Sequence, residues 1–255
     1  MILDKFSLKG KSGLVTGAGS GIGKAIATGL AEVGAKVALA GRNMEKLEKA
    51  AAEMEASGLD AAPFQVDMAS PQSISNLVEA VLDQFGKLDF LFNNAGMIHR
   101  VPSEDFPIEI WEEMIKVNLT GPFLLSQKVA NHMIAEGIKG SIVNTSSLIA
   151  VFGGVAVPAY AATKGGLTQL TKSMCVDLAK YGIRVNAIGP GWVKTEMTQP
   201  VQDIPERFKA ISERIPLGRW ADPEELAGLA VFLASEASGY ITGQVIFIDG
   251  GYLAM

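Results

Sequence analysis

Cysteine and histidine are scarce in this chain of 255 residues: one Cys and two His. A lone Cys175 excludes an internal disulfide, and in "TKSMCVDLAK" it reads as a buried structural thiol rather than a nucleophile. A reducing, cytoplasmic setting is therefore expected. Metal ligation by His99 would need a second histidine or a carboxylate cluster beside it, and neither is evident. No long run of Lys or Arg occurs and the net charge is a mild −5, which argues against a nucleic-acid face or an anionic membrane surface. Small neutral or anionic metabolites stay open as partners. No run of about twenty apolar residues could span a bilayer, and "MILDKFSLKGK" lacks the apolar stretch of a secretory signal. No composition break and no fixed-period repeat divides the chain, so a single domain over 1–255 is expected.

What the chain does have is alternation. Short β-branched runs, "SGLVTG", "KVALAG", "AAPFQVD", "KLDFLFNN", "GSIVNTSS", "IRVNAIGPG" and "QVIFIDGG", are separated by apolar-periodic segments at 22–33, 44–57, 71–85, 108–136, 159–179 and 223–234. Seven strands and six crossings predict an α/β fold: one doubly wound, parallel, seven-stranded sheet with helices on both faces. Ser70 with Pro71, and Asp222 with Pro223 and Glu224, are helix-start signals. One long irregular stretch, about 190–216, is expected to form a substrate lid, an ordinary helical excursion being the alternative.

Between the first strand and first helix, "LVTGAGSGIGKAIA" places glycines at 17, 19, 21 and 23. Glycine lets the backbone turn sharply and approach a pyrophosphate, and the helix N-terminus offers free N–H groups and positive dipole charge. The spacing departs from G-x-G-x-x-G, because Ile22 stands where the third glycine would fall when counting from Gly17. Its place after strand one of a βαβ pattern nevertheless points to a dinucleotide. The second strand ends in Gly41 and Arg42, with no carboxylate to accept a ribose 2′-hydroxyl. A guanidinium there suits a 2′-phosphate, so NADP is favoured over NAD; a solvated surface arginine is the alternative.

"AYAATKGG" holds Tyr160 and Lys164 four positions apart, on one face of a helix. A fixed ammonium favours the phenolate and would lower the tyrosine pKa toward neutrality, giving a general acid/base. On its own the spacing is common. Its context is more telling: "NTSS" (144–147) and "NNAG" (93–96) end the fifth and fourth strands at the carboxyl edge, where open α/β sheets bind ligands.

Taken in order, "TGAGSGIG" (16–23), Asp67, "NNAG", Asn118 in "KVNLTGPF", Ser147, "YAATK" (160–164), "RVNAIGPG" (184–191) and "DGG" (249–251) resemble the short-chain dehydrogenase/reductase family over essentially the whole length. The resemblance implies a Rossmann-type fold, a homotetramer and reversible hydride transfer between a secondary alcohol or ketone and a nicotinamide. It further implies Tyr160 as general acid/base and Ser147 as the hydrogen-bond partner of the reacting oxygen, with Ser146 as the alternative serine. Lys164 would bind the nicotinamide ribose and depress the Tyr160 pKa, and Asn118 would hold a relay water. Gly17, Ser20, Gly21, Ile22, Gly23, Arg42, Met68, Asn94, Ala95, Gly96 and Thr145 would contact the cofactor. Asp67 would bond the adenine amino group, while Pro190, Val193 and Thr195 would lie by the nicotinamide.

"MIHRVPSEDF", "FGGVAVPAYAATK", "RIPLGRWADPEEL" and "DGGYLAM" resemble the sugar-acid branch of that family, gluconate 5-dehydrogenases and 2-deoxy-D-gluconate 3-dehydrogenases. A sugar acid needs a cation for its carboxylate, and Arg100 is the candidate; the alternative is that it pairs with Glu104 or Asp105 and only orders its loop. Trp192 would either cover the nicotinamide or pack inside the lid, and Trp220 would be a core or subunit-contact residue. Two rivals remain at this point. A 3-oxoacyl thioester reductase shares the fold and the tetrad but must dock an acidic carrier, and no basic cluster is visible. A nonenzymatic dinucleotide sensor would have no need of Asn118, Ser147, Tyr160 and Lys164 together.

Overall fold

The computed structural model describes residues 1–255. Its strands are β1 (Ser12–Thr16), β2 (Lys36–Gly41), β3 (Ala61–Gln65), β4 (Phe90–Asn93), β5 (Ser141–Thr145), β6 (Arg184–Pro190) and β7 (Val245–Ile248). All pair in parallel, in the order β3-β2-β1-β4-β5-β6-β7. The helices are α1 (Gly21–Glu32), α2 (Met44–Ala56), α3 (Pro71–Phe85), α4 (Ile108–Ile115), α5 (Gly121–Ala135), α6 (Pro158–Leu178), α7 (Gln199–Gln202), α8 (Pro205–Glu213) and α9 (Ala227–Ala234).

The strands are apolar on both sides because both sides are covered. Successive residues face opposite ways, so Val15, Leu39, Phe90, Phe92 and Val143 pack with Ile26 and Leu30 of α1, Leu47 of α2 and Leu233 of α9. Their neighbours Leu14, Ala38, Leu91, Ile142 and Val185 pack with Ile74 and Val81 of α3, Leu125 and Val129 of α5, and Met174 of α6. Truncating one fully buried member, Leu30→Ala for instance, costs about 2–5 kcal/mol. No helix is long and apolar enough to cross a membrane.

The start signals act as expected. Ser70 Oγ accepts the Ser73 N–H at 3.2 Å with Pro71 in the first turn. Asp222 and Glu225 form a capping box, although the first turn there (Pro223–Leu226) is 3₁₀ before α9 begins. Two stretches differ from the sequence reading. The helix expected over 108–136 is interrupted by a π-helical turn, Lys116–Thr120, which carries Asn118; such wide turns collect at functional sites. The stretch 190–216 is not irregular. Val193 bridges Ala221, Thr195 caps a 3₁₀ turn by a capping box with Thr198, and α7 and α8 follow, each opened by a proline.

The strand order reverses between β1 and β4. Loops leaving these two strands diverge to opposite faces, and the crevice between their carboxyl ends is where this topology receives a ligand.

Candidate active site

At the end of β1 the chain turns through Gly17, whose φ of +67° is open to glycine, and enters α1. A Cβ on Gly23 would meet the Gly17 carbonyl oxygen at 2.2 Å, so the helix can start against the loop only because residue 23 has no side chain. The loop is tied to β4 through Thr16 and Asn94. Thr16 Oγ1 accepts the N–H groups of Asn94 and Ala95, each at 3.0 Å, and Asn94 Nδ2 donates to the Thr16 carbonyl at 3.1 Å. Around this brace lies a cavity of about 350 Å³. Gly17, Ser20, Gly21, Ile22 and Gly23 form one wall; Asn94, Ala95 and Gly96 form its floor; Thr145, Pro190, Val193 and Thr195 close the far side.

Beyond it along the same sheet edge, Arg42 and Asp67 border a second cavity of about 560 Å³, walled by Phe64, Val66 and Leu77. Arg42 is exposed and takes part in no ion pair, so its guanidinium is free for an incoming anion. Asp67 Oδ1 accepts the Ala69 N–H at 2.9 Å. Free helix-start N–H groups, a cradle that a Cβ would fill, an apolar slot and an unpaired arginine together fit a dinucleotide carrying a 2′-phosphate. The Met68 side chain is buried in the core among Val66 and Ile74, because the turn after β3 directs it inward, so only its backbone is left for a cofactor contact.

Tyr160 and Lys164 project from the first turns of α6 to the end of the glycine-loop cavity, beside Ser147. Ser147 caps a short 3₁₀ turn through the Ile149 N–H at 3.2 Å, and its hydroxyl, beside Tyr160, favours the phenolate. Ser146 turns away and pairs with Thr168 Oγ1 at 2.7 Å. Ser147 and Tyr160 also line a third cavity, of about 300 Å³, on the other side. That cavity is mostly apolar, with Ile98, Phe152, Trp192, Ile211 and Tyr252, and contains Arg100, Arg207 and Arg214 but no carboxylate. The phenol and hydroxyl thus stand in a shared wall, able to exchange a proton with one occupant while it faces the other.

Residues 17–253 match the family model described as enoyl-(acyl carrier protein) reductase. The chain belongs to the short-chain dehydrogenase/reductase family. Among its relatives, the 2-dehydro-3-deoxy-D-gluconate 5-dehydrogenase of Bacillus subtilis (strain 168) is 43% identical over 251 residues, covering 98% of each chain. The gluconate 5-dehydrogenase of Gluconobacter oxydans (strain 621H) is 41% identical over 97% of this chain and 96% of its own. A solved gluconate 5-dehydrogenase of Burkholderia cenocepacia J2315, in complex with NADP and tartrate, is 39% identical over the whole of both chains with a TM-score of 0.96.

Within this short-chain dehydrogenase/reductase, the side chains around the phenol are placed as follows. Lys164 lies beside Tyr160 without bonding its phenol. Its Nζ donates to the Thr145 carbonyl at 2.6 Å and lies 5.5 Å from the tyrosine ring centroid. Burial pushes the phenol up, opposed by the Ser147 hydroxyl and the Arg100 charge, and burial holds Lys164 itself down at about 8. Asn118 spends most of its side-chain hydrogen bonds on its neighbours: Oδ1 accepts the Met97 N–H and Nδ2 donates to the Met97 carbonyl, both at 2.8 Å, and to Thr163 Oγ1 at 3.3 Å, which leaves one Oδ1 lone pair. Its amide braces the loop after β4, because the π turn swings it toward that loop. Arg100 does not pair with Glu104 or Asp105; it faces Tyr160 and Arg207. Cys175 is half-buried, with Thr242 Oγ1 at 3.2 Å.

Trp192 and Trp220 both pack in a satellite core, rings 4.8 Å apart, and Trp192 also reaches the third cavity. Sequence reading missed Arg207 and Arg214, which α8 places on that cavity. It also missed Tyr252, buried by the turn at Asp249–Gly251, with Phe152 at 5.8 Å and the Arg214 guanidinium 4.6 Å above its ring. The i, i+7 spacing of the two arginines puts them on one helix face but does not say what that face meets.

Proposed function

We propose that this chain is an NADP-dependent oxidoreductase that interconverts a secondary alcohol and a ketone on a sugar acid of the gluconate or 2-dehydro-3-deoxygluconate kind. Bound NADP would accept the hydride from the carbinol carbon, while the hydroxyl proton leaves through Tyr160. The single observation that carries this reading is the shared wall: Ser147 and Tyr160 border both the glycine-loop cavity and the arginine-lined one.

Each residue then has a task. Ser147 donates to the reacting oxygen and orients it toward the phenol. Tyr160 takes or returns the proton as general base or acid. Lys164, released from Thr145, donates to the nicotinamide ribose, and Asn118 holds the floor of the site through Met97. Gly17 to Gly23 supply N–H groups to the pyrophosphate, Asp67 meets the adenine, and Arg42 pairs with the 2′-phosphate and disfavours NAD. Arg100 binds the substrate carboxylate, a charge-assisted bond in a half-buried site. Residues 190–216 close over the substrate, since Trp192, Met197, Thr198 and Arg207 belong to that stretch and to the substrate cavity. Exposed Phe123, Val176, Leu217 and Tyr240 support assembly into a homotetramer, checked by light scattering. The single half-buried thiol suits a cytoplasmic protein.

A second reading, reduction of an acyl thioester, draws support from the description of the matching family model. One assay separates the two. Purified protein is offered D-gluconate, a neutral polyol and, in the reductive direction, an acetoacetyl thioester, each with NADP(H) and NAD(H). The sugar-acid reading expects gluconate turnover, faster with NADP than with NAD. Turnover of the thioester alone would overturn it.

A further inference from the structure

The 196–216 stretch brings more positive charge to the substrate cavity than one carboxylate can answer. Arg207, Ile211 and Arg214 fall at i, i+4 and i+7, on one face of α8 and the capping residue that follows it, and all three line the cavity. Seven residues of helix place the two arginines about 10 Å apart along the axis, with an apolar residue between them. Arg100 enters from the loop after β4. The cavity therefore holds three guanidiniums and no Asp or Glu.

These cations are uncompensated. None of Arg100, Arg207 and Arg214 occurs in an ion pair, while Arg219 a few residues on is paired bidentately with Glu225 at 2.6 and 2.7 Å. Partial burial pushes the Arg100 pKa down, and the charge of Arg207 adds to it. Like charges kept together without a counter-ion destabilise a site until an anion arrives. Arg214 is held at the other end, over the Tyr252 ring, which fixes its plane and leaves its edge N–H donors free.

We propose that the cavity takes a doubly anionic sugar acid, in which one anionic end is held by Arg100 and the other by the Arg207–Arg214 face of α8. The inference rests on the sugar-acid reading above and narrows it from aldonates to sugar acids with a second terminal anion. That second anion is a carboxylate, as in an aldarate, or a phosphate ester. The reaction at the carbinol carbon is unchanged. The C–H bond gives its electron pair and hydrogen as hydride to NADP, the O–H proton leaves through Tyr160, and a C=O bond forms.

The test compares galactarate, 6-phosphogluconate and D-gluconate on the wild-type protein and on R207Q, R214Q and R214K. The readouts are kcat/KM with NADP, and the dissociation constant of each acid for NADPH-loaded protein by calorimetry, where no turnover can occur. At least one dianion is expected to bind about tenfold more tightly than gluconate, the effect of one extra charge-assisted hydrogen bond. R207Q and R214Q are expected to erase that advantage, and R214K to restore part of it, which a folding defect would not allow. Gain for galactarate alone assigns a carboxylate; gain for 6-phosphogluconate alone assigns a phosphate ester. Gluconate binding as tightly as both dianions, or equal losses for all three acids in each variant, would overturn the proposal and leave the sugar-acid reading intact. No turnover of any sugar acid, with the thioester reduced, would overturn both.

Discussion

The two cavities that meet at Tyr160 are built in opposite ways. On the glycine-loop side the side chains that shape the pocket are tied within the protein: Thr16 with Asn94 and Ala95, Asn94 with Thr16, Lys164 with Thr145, Asn118 with Met97. On the other side three arginines stand among apolar rings with no acceptor among the ion pairs of the chain. The first side is a rigid mould for a ligand every family member shares. The second is a set of donors that only an anionic ligand completes, assembled from the loop after β4, α8 and the C-terminal turn.

The largest expected effect falls on the wall between the two. Tyr160→Phe should lower kcat by about 10²–10⁴-fold, the range of general acid–base catalysis, while NADPH affinity measured by fluorescence stays within a factor of about two. Loss of cofactor binding instead would put Tyr160 on the mould side only. Gly23→Ala breaks the mould itself. Its Cβ would lie 2.2 Å from the Gly17 oxygen, so a fall in stability of about 1–3 kcal/mol and a weakened NADPH complex are expected from denaturant titration and binding. Arg100→Ala touches the other side alone: KM for gluconate should rise about tenfold, the loss of one charge-assisted bond, while a neutral polyol is spared. Equal changes for both substrates would remove Arg100 from carboxylate recognition.

The pH dependence sharpens the comparison further. Lys164 is buried with its pKa held at about 8, below the ordinary lysine value. Above pH 8 the folded protein carries fewer protons at this site than the unfolded chain, so the stability penalty of the buried ammonium is full below pH 8 and lifts as pH rises. Stability relative to Lys164→Met should therefore climb between about pH 8 and 10. Parallel pH curves for the two proteins would show that the ammonium is not desolvated. The smallest effect belongs to Ala156, a non-glycine residue at φ +59° whose carbonyl holds the Val101 N–H at 2.9 Å. Ala156→Gly should stabilise the protein by roughly 1 kcal/mol in the same titration, by relieving a left-handed alanine.

The same contrast explains what could be read from the sequence. Seven strands, their parallel order of use and the glycine loop were legible because each is a local pattern: apolar runs, turn glycines and cap residues decide themselves within a few positions. The placements of Arg42 and Ser147 were legible because the sheet collects the residues that follow its strands at one edge, Tyr160 through its four-residue spacing to Lys164, and Asp67 only through the family resemblance. The π turn at 116–120 was not, since "KVNLT" carries no signal that separates a wide turn from an α-helical one. Nor was the buried amide ladder in which Asn93 Nδ2 donates to Asn144 at 2.9 Å and Asn144 to Thr171 at 2.9 Å, which joins β4, β5 and α6 across fifty and more residues. Arg207, Arg214 and Tyr252 were missed for the same reason: their meeting depends on how α8 and the C-terminal turn fold back, not on any short motif. The Thr145 carbonyl as acceptor for Lys164 was not legible, because a four-residue spacing fixes a shared face but not which acceptor the ammonium chooses.

The most direct measurement is a product balance: NADP and D-gluconate incubated at alkaline pH with the wild-type protein and with Tyr160→Phe, scoring NADPH and keto acid together. Equal amounts of the two products from the wild type, and almost none from the variant, are what the shared wall predicts. NADPH without keto acid, or no product from any sugar acid by a protein that reduces an acetoacetyl thioester, would contradict it.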